Sequence, residues 1–341
     1  MTRLSVVLCT RNPRPDCMRR VLESLCEQSL EKKHWELLIV DNGSDRRIAD
    51  EWNLSKHLRH RHIREDTLGL LPARLRGIRE AQGGLLVFVD DDTVIDVDYL
   101  SHARSIHAQH THLGAFGAGI LEPEFEVAPP SELLPRIELL GIRTVNVQVF
   151  CSNPRDASFR PRGGGLCVTR EVADTYDRLV DRLGVIDIIG RHGRALFSGD
   201  DDLFAWAAAS MGTVFGLFPE LRVTHLIAAE RMTREYFVRL IHDHTFSHSI
   251  LRHLLTGARP RRLTLSKRIL ALAHGLKNGR FSMQCRVAEL RGENNASYYT
   301  AERQLRPLEK ASQAVTFSVD CTSHNSSLED IGGETRTSRN R

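Results

Sequence analysis

Two runs of carboxylates carry the chemistry this chain could do. "LLVFVDDDTVID", Leu85 to Asp96, ends an apolar stretch on Asp90, Asp91 and Asp92. "SGDDDLF", Ser198 to Phe204, sets Asp200, Asp201 and Asp202 between a glycine and an apolar segment of helical character. Adjacent carboxylates repel, so a chain keeps such a cluster where something positive sits in the working state. Alternate residues leaving a strand point to opposite sides, which lets Asp90 and Asp92 serve different partners from one edge. A hard divalent cation, Mn2+ or Mg2+, takes one or two such carboxylates and completes its shell with phosphate oxygens. The second run suits proton abstraction, because a partly buried carboxylate among like charges has its pKa raised toward that of a general base. The plainer readings are a solvated turn with Asp92 as a cap, and helix N-capping for the second run. Capping needs one acid, not three.

Smaller groups could assist. In "IVDNGS", Asp41 can accept from the N–H of a pyrimidine ring, while Asn42 and Ser44 suit a tight turn; an Asx turn explains the same residues equally well. Arg74 in "PARLRG" would meet a diphosphate through two N–H groups if its helix enters a crevice; otherwise, like Arg64, it is a solvated charge. His225 in "LRVTHLI" is a core histidine unless the fold returns it to the carboxylates as a neutral imidazole. "RGGGL", Arg162 to Leu166, lacks the ending of a phosphate loop, so its glycines imply close backbone approach to a ligand or to the sheet. His107, His110 and His112 lack a Cys or acidic partner and read as a solvated helix end.

The elements that must position these groups alternate two periods over the first ~120 residues, implying βαβ units and a mainly parallel central sheet flanked by helices. "LSVVLCT", "WELLIVDNGS", "RHIRE" and "GLLVFVDDD" read as strands. "DCMRRVLESLCEQSL" reads as a helix with Met18, Val21, Leu22, Leu25 and Cys26 on one face. "GLLPARLRGIREAQG" reads as a helix closed by Gly83, and "DVDYLSHARSIHAQ" as the next. Ligands of an open parallel sheet bind beyond the strands' carboxyl ends. Thr10, Arg11 and Asn12, then Asp41 and Asn42, then Asp90 to Asp92 should therefore meet at one crevice. Residues 121–197 are less regular, with a short strand entering a helix in "RPRGGGLCVTREV". Then come a loop, a helix and a strand ending near His225. The pattern is helical from Glu230 to about Gly279, and the polar last ~30 residues read as disordered.

The 341 residues carry 41% apolar and 26% charged residues, a soluble globular composition, and a net charge of only +4 argues against a nucleic-acid partner. Seven cysteines without a CxxC pair, no signal-like N-terminus and no ~20-residue apolar span lead to a cytoplasmic reading.

Taken in order, "SVVLCTRN", "ELLIVDNGSD", "EDTLGLLPARLRGIREAQGGLLVFVDDD", "RGGGLCVTREV", "SGDDDLFAWAAASMG" and "LFPELRVTHLI" resemble the family-2 inverting glycosyltransferases of GT-A fold, over roughly residues 3–230. The resemblance implies an α/β GT-A domain over 1–229, with a donor half to about 120 and an acceptor half after it. A C-terminal helical extension over 230–310 and a tail over 311–341 complete the expected layout. It implies hexosyl transfer from a nucleotide-sugar, a UDP-sugar first, in polysaccharide or glycoconjugate synthesis. Asp41 falls on the nucleotide base, Asp90 on the ribose side of the DxD motif with Asp91 beside it, and Asp92 and His225 on the metal. Asp201 matches the catalytic base with Asp200 as its paired acid, and Gly164 and Gly165 fall on the acceptor side. Leu203 and Leu75 depart from the pattern, and the first leaves Asp200 or Asp202 open as the base. The alternatives are a nucleotidyltransferase and a non-catalytic nucleotide-sugar-binding protein. Basic-flanked apolar faces in "EYFVRLIHDHTFSHSILRHLL" and "LTLSKRILALAHGLKNGRF" admit peripheral contact with an anionic membrane and a lipid-linked acceptor, though such helices more often pack on their own domain.

Overall fold

The computed structural model describes residues 3–54 and 59–308. At its centre β1 (Leu4–Thr10), buried throughout, runs parallel to β2 (Trp35–Asp41) and β4 (Leu85–Asp90), with β3 (His60–Arg64) parallel outside β2. Strands covered on both faces are continuous apolar runs, which is why these four were legible. Successive β1 side chains enter opposite cores. Val7 joins Leu38, Phe88 and α3 (Leu70–Glu80) on one face; Val6 and Leu8 join α1 (Pro15–Cys26) and α4 (Tyr99–Gln109) on the other. α2 (Ile48–Glu51) is a single turn between β2 and β3.

Two local expectations change. Met18, Val21, Leu22 and Leu25 form the buried face of α1, but Cys26 at its end is only half-buried. α3 stops at Glu80, so Gly83 does not close it. Gly83 lies instead against the start of β1, where an added Cβ would come within 2.6 Å of the Ser5 nitrogen.

Beyond β4 the sheet becomes mixed. β9 (Leu166–Thr169) sits antiparallel between β4 and β6 (Leu113–Phe125), and β10 (Val214–Ile227) runs parallel to β6. The short β5 (Thr93–Ile95) lies antiparallel on the far end of β10. β7 (Arg143–Thr144) and β8 (Val149–Cys151) add small pairings to β6 and β10. Parallel pairing thus describes the N-terminal half and the β6–β10 pair, while β9 is the antiparallel seam. The register of β10 on β6 shifts between Phe218 and Arg222, around Pro219, a residue that cannot donate to a ladder.

α5 (Arg170–Leu183) and α6 (Asp202–Ser210) cover the face of Val7 and Phe88. α7 (Arg234–Thr256), α8 (Leu265–Asn278) and α9 (Arg280–Glu302) follow the sheet. Helix continues past Gly279, which interrupts it at φ +88° without ending the helical region. α9 packs so closely on α7 that a Cβ on Gly292 would lie 2.5 Å from the His242 carbonyl oxygen. Among the described residues no helix is long and apolar enough to cross a membrane. The tail expected over 311–341 lies outside the described residues.

Candidate active site

The turn after β4 carries the first carboxylate run, and the antiparallel seat of β5 on β10 pairs Thr93 with His225. That register returns His225 to Asp92: its Nε2 is 3.4 Å from Asp92 Oδ2. His225 Nδ1 lies 2.9 Å from the Leu140 carbonyl oxygen, which can only accept, so Nδ1 carries the proton and Nε2 presents a lone pair. Arg231 donates to both groups, Nη1 to His225 Nε2 at 3.0 Å and Nη2 to Asp92 Oδ2 at 2.8 Å. Burial opposes charge on Asp92, but Arg231, joined by His225 when its imidazole is charged, outweighs it and holds that carboxyl well below the ordinary range. The neighbouring Asp91 goes the other way. Burial and the charges of Asp92 and Asp90 push it up to about 7, although the Thr10 hydroxyl donates to it.

The second run heads α6. Arg74, from α3, is buried between the two runs, 3.3 Å from Asp90 Oδ1 and in contact with Asp200. Burial raises Asp200 to about 6 despite Arg74, with the charge of Asp201 acting in the same direction as burial. Asp202 is also buried, paired with Arg160 at 2.9 Å and His248 Nδ1 at 3.4 Å. Asp201 differs from both. It is only half-buried, has no ion pair among the described residues, and accepts from Gly163 N at 3.2 Å and Asp202 N at 3.0 Å. Burial works against its charge, but Arg162 and Arg74 hold its carboxyl below the usual value. Asp201 is also the N-cap of α6, its side chain accepting from Asp202 N.

One cavity of about 810 Å³ is lined by Asp90, His225 and Arg231 on one side and by Asp200, Asp201 and Asp202 on the other. Its volume is that of a small-molecule site. Arg143, Arg162, His244 and His248 also line it. None of these four was singled out in the sequence; the i, i+4 spacing of His244 and His248 on one helix was the available signal.

Of the expected donor-side groups, Arg74 and Asp90 line that cavity, while Thr10, Arg11, Asn12, Asp41, Asn42 and Asp91 stand outside its wall. Asp41 accepts from Ser44 N at 2.9 Å, Ile48 N at 3.3 Å and Arg64 Nη1 at 2.8 Å. These bonds overcome the upward push of burial and keep it below the ordinary carboxylate value. Asn42 donates to the Thr67 carbonyl at 2.7 Å and accepts from Gly69 N at 2.7 Å, stitching the loop that leads into α3. Asn12, at φ +49°, exchanges hydrogen bonds with Asp45, while the exposed Arg11 reaches the Gly43 carbonyl at 3.4 Å. Thr10 joins this group to the first carboxylate run through Asp91.

The glycine cluster is a close-approach device. A Cβ on Gly163 would lie 2.3 Å from Arg74 Nη2, and one on Gly164 2.8 Å from Thr93 Oγ1. Gly165, at φ +82°, is buried against Tyr99. Gly163 and Gly164 line the cavity, and Gly163, not singled out in the sequence, is the one that touches Asp201. Leu203 and Leu75 are both buried in the apolar core.

Residues 5–132 match the model of Glycosyl transferase family 2. No curated protein sequence matches the chain. Among solved structures, the 1-349 portion of S. aureus TarS is similar at 14% identity, covering 89% of this chain and 92% of that one, with a TM-score of 0.43. The mannosyltransferase PcManGT from Pyrobaculum calidifontis, in complex with GDP-Man and Mn2+, is 18% identical, covering 88% and 75%, with a TM-score of 0.48. GalNAc-T7, with UDP, GalNAc and Mn2+, is 13% identical over 89% of this chain and 58% of that one, with a TM-score of 0.50. At such identities the likeness is one of fold. The family match is confined to residues 5–132, and the architecture around it, an α/β mixed sheet flanked by helices, is GT-A-like.

Proposed function

We propose that this protein moves a hexosyl group from a nucleotide-sugar, a UDP-sugar first, to an acceptor hydroxyl with inversion at the anomeric carbon. The observation that carries this is the meeting of Asp90, from the first carboxylate run, and Asp200, Asp201 and Asp202, from the second, at one cavity, with buried Arg74 clamped between Asp90 and Asp200. Asp201 takes the acceptor proton, since Asp200 and Asp202 are committed to buried cations and Asp201 is not. Its carboxylate, held below the usual value instead of being raised as the like-charge run suggested, is ionised and is fixed by Gly163 N. The acceptor oxygen attacks the anomeric carbon opposite the leaving diphosphate, so one displacement inverts the configuration, and no covalent carboxylate adduct forms. Asp90 faces the ribose, and the loop shaped by Asp41 and Asn42 receives the base.

A divalent cation, Mn2+ or Mg2+, supplies Lewis acidity toward the leaving diphosphate when bound. Asp92 Oδ2 and the Nε2 lone pair of His225, 3.4 Å apart, are the groups that would hold it. Two protein ligands suit an ion shared with substrate phosphates. Among the described residues no group of three or more His, Cys, Asp or Glu is arranged to hold a metal.

We take residues 1–229 as the catalytic unit and 230–310 as a helical region built onto it, since α7 supplies His244 and His248 to the cavity wall. α8 presents Leu265, Ile269 and Leu276 to solvent on one face, beside Lys267 and Lys277, which favours contact with an anionic membrane and a lipid-linked acceptor. The decisive test of transfer is Asp201→Asn assayed with a UDP-sugar, scoring UDP release, donor binding and the anomeric configuration of the product. Binding with UDP release in the wild type and none in the variant supports the reading; pyrophosphate as product refutes it.

A further inference from the structure

Asp92 and His225, 3.4 Å apart, are bridged by Arg231. Its two terminal nitrogens address the carboxylate oxygen and the imidazole lone pair separately, at 2.8 Å and 3.0 Å. These are the same lone pairs that a divalent cation would take. A guanidinium cannot share them with a second cation, since it has no acceptor and repels like charge. The 3-10 turn that carries it, Ala229–Arg231, is fixed at its start, where Ala229 N donates to Glu126 at 2.8 Å and Glu126 is paired with Arg14 at 3.1 Å. The Arg231 side chain nonetheless has room to leave. It lines the main cavity and also a second one of about 390 Å³, whose walls carry Glu230 and Glu235 together with Arg191 and Arg239. It is 30% exposed, unlike Arg74 at 3%.

We infer that Arg231 is a built-in counter-cation for the Asp92–His225 pair, and that it and a divalent metal are alternative occupants of that pair. This rests on the assignment of Asp92 and His225 as the metal-holding residues. With Arg231 in place the pair is neutralised and held together, so the nucleotide-free protein resists stray metal. Metal binding then requires the guanidinium to move aside toward the Glu230–Glu235 cavity. A site open in only one molecule in ten binds with about tenfold weaker apparent affinity, and removal of the occupant restores the difference.

The test is Mn2+ binding to the full chain without nucleotide, followed by the EPR signal of free Mn2+ at fixed pH. The proteins compared are wild type, Arg231→Gln, Arg231→Lys, Asp92→Asn and the Arg231→Gln/Asp92→Asn double variant, with thermal unfolding as a check on folding. The expected result is at least about tenfold tighter binding in Arg231→Gln, abolished in the double variant, with Arg231→Lys between wild type and Arg231→Gln. Equal or weaker binding in folded Arg231→Gln and Arg231→Lys overturns the inference, as does tighter binding that survives loss of Asp92. Failure of the underlying assignment reads differently: donor binding and transfer by the wild type would then be indifferent to chelation and to Asp92→Asn.

Discussion

Arg74 and Asp200 form an ion pair almost closed to solvent, their side chains 3% and 6% exposed, although 126 residues separate them in the chain. The same guanidinium reaches Asp90 at 3.3 Å, so one buried cation joins the end of β4 to the head of α6. Breaking a buried pair by removing one partner leaves an uncompensated charge and costs about 3–5 kcal/mol. Arg74→Met should lose stability on that scale in urea titration. Arg74→Met combined with Asp200→Leu should recover at least half of it. Equal losses in the single and double variants would show that Arg74 acts through Asp90 alone.

Asp201 and Asp202 are neighbours with opposite expected phenotypes. Asp201→Asn keeps a capping oxygen for α6 and should lower transfer by about 10²–10⁴-fold with little loss of donor binding. Asp202→Asn strips the buried partner from Arg160 and should show first as a loss of about 1–3 kcal/mol in stability. Steady-state transfer rates beside thermal unfolding separate the two. A reversal of the phenotypes would move the base to Asp202.

Gly163→Ala tests the close approach at the cavity floor. The new Cβ would fall 2.3 Å from Arg74 Nη2, a group that its two carboxylate partners keep from swinging away. Overpacking of this kind costs about 1–3 kcal/mol. Because Gly163 N also holds Asp201, transfer should fall with it. Full activity in a folded Gly163→Ala protein would show that neither contact matters to the reaction.

His244 and His248 stack with ring centroids 4.0 Å apart, and burial holds them down to about 3 and about 4. Their folded pKa values lie below the ordinary 6.5, so their contribution to stability is complete above pH 6.5 and is lost as pH falls toward 4. Each can add a slope approaching ~1.4 kcal/mol per pH unit. Asp91 and Asp200, raised to about 7 and about 6, and Asp202, all raised chiefly by burial, act in the opposite direction over the same range, so the histidine contribution is read as a difference between proteins. In urea titrations from pH 7.5 to 5 the wild type should lose stability relative to His248→Gln. A pH-independent difference between the two would rule out a buried neutral histidine at position 248.

The exposed apolar line of α8 predicts cosedimentation with vesicles rich in phosphatidylglycerol and not with phosphatidylcholine alone. Ile269→Glu with Leu276→Glu should abolish it without changing the unfolding temperature, because both positions are exposed. Binding that persists in this variant would place the contact elsewhere.

The architecture was legible where burial writes itself into local pattern. Strands covered on both faces must be continuous apolar runs, so β1, β2 and β4 and their polar ends could be read directly. The antiparallel insertion of β9 could not, because pairing between residues 85 and 169 depends on what else competes for those edges. The helix at residues 280–302 carries mixed polar and apolar residues, and what holds it is its packing on α7. Arg231 had no local signal at all: it belongs with Asp92, 139 residues away, only because β5 and β10 pair.

Residue type and order alone determined that this chain has two acidic runs bordering apolar segments, a parallel N-terminal half and a motif order that the family model matches over residues 5–132. These are properties of neighbours in sequence, set by burial and chain periodicity. Which aspartate of 200, 201 and 202 stays free was decided by tertiary structure, since three identical side chains differ only in the cations that distant segments bring to them. Arg74 and Arg160 claim the outer two, and the middle carboxylate is left facing the cavity.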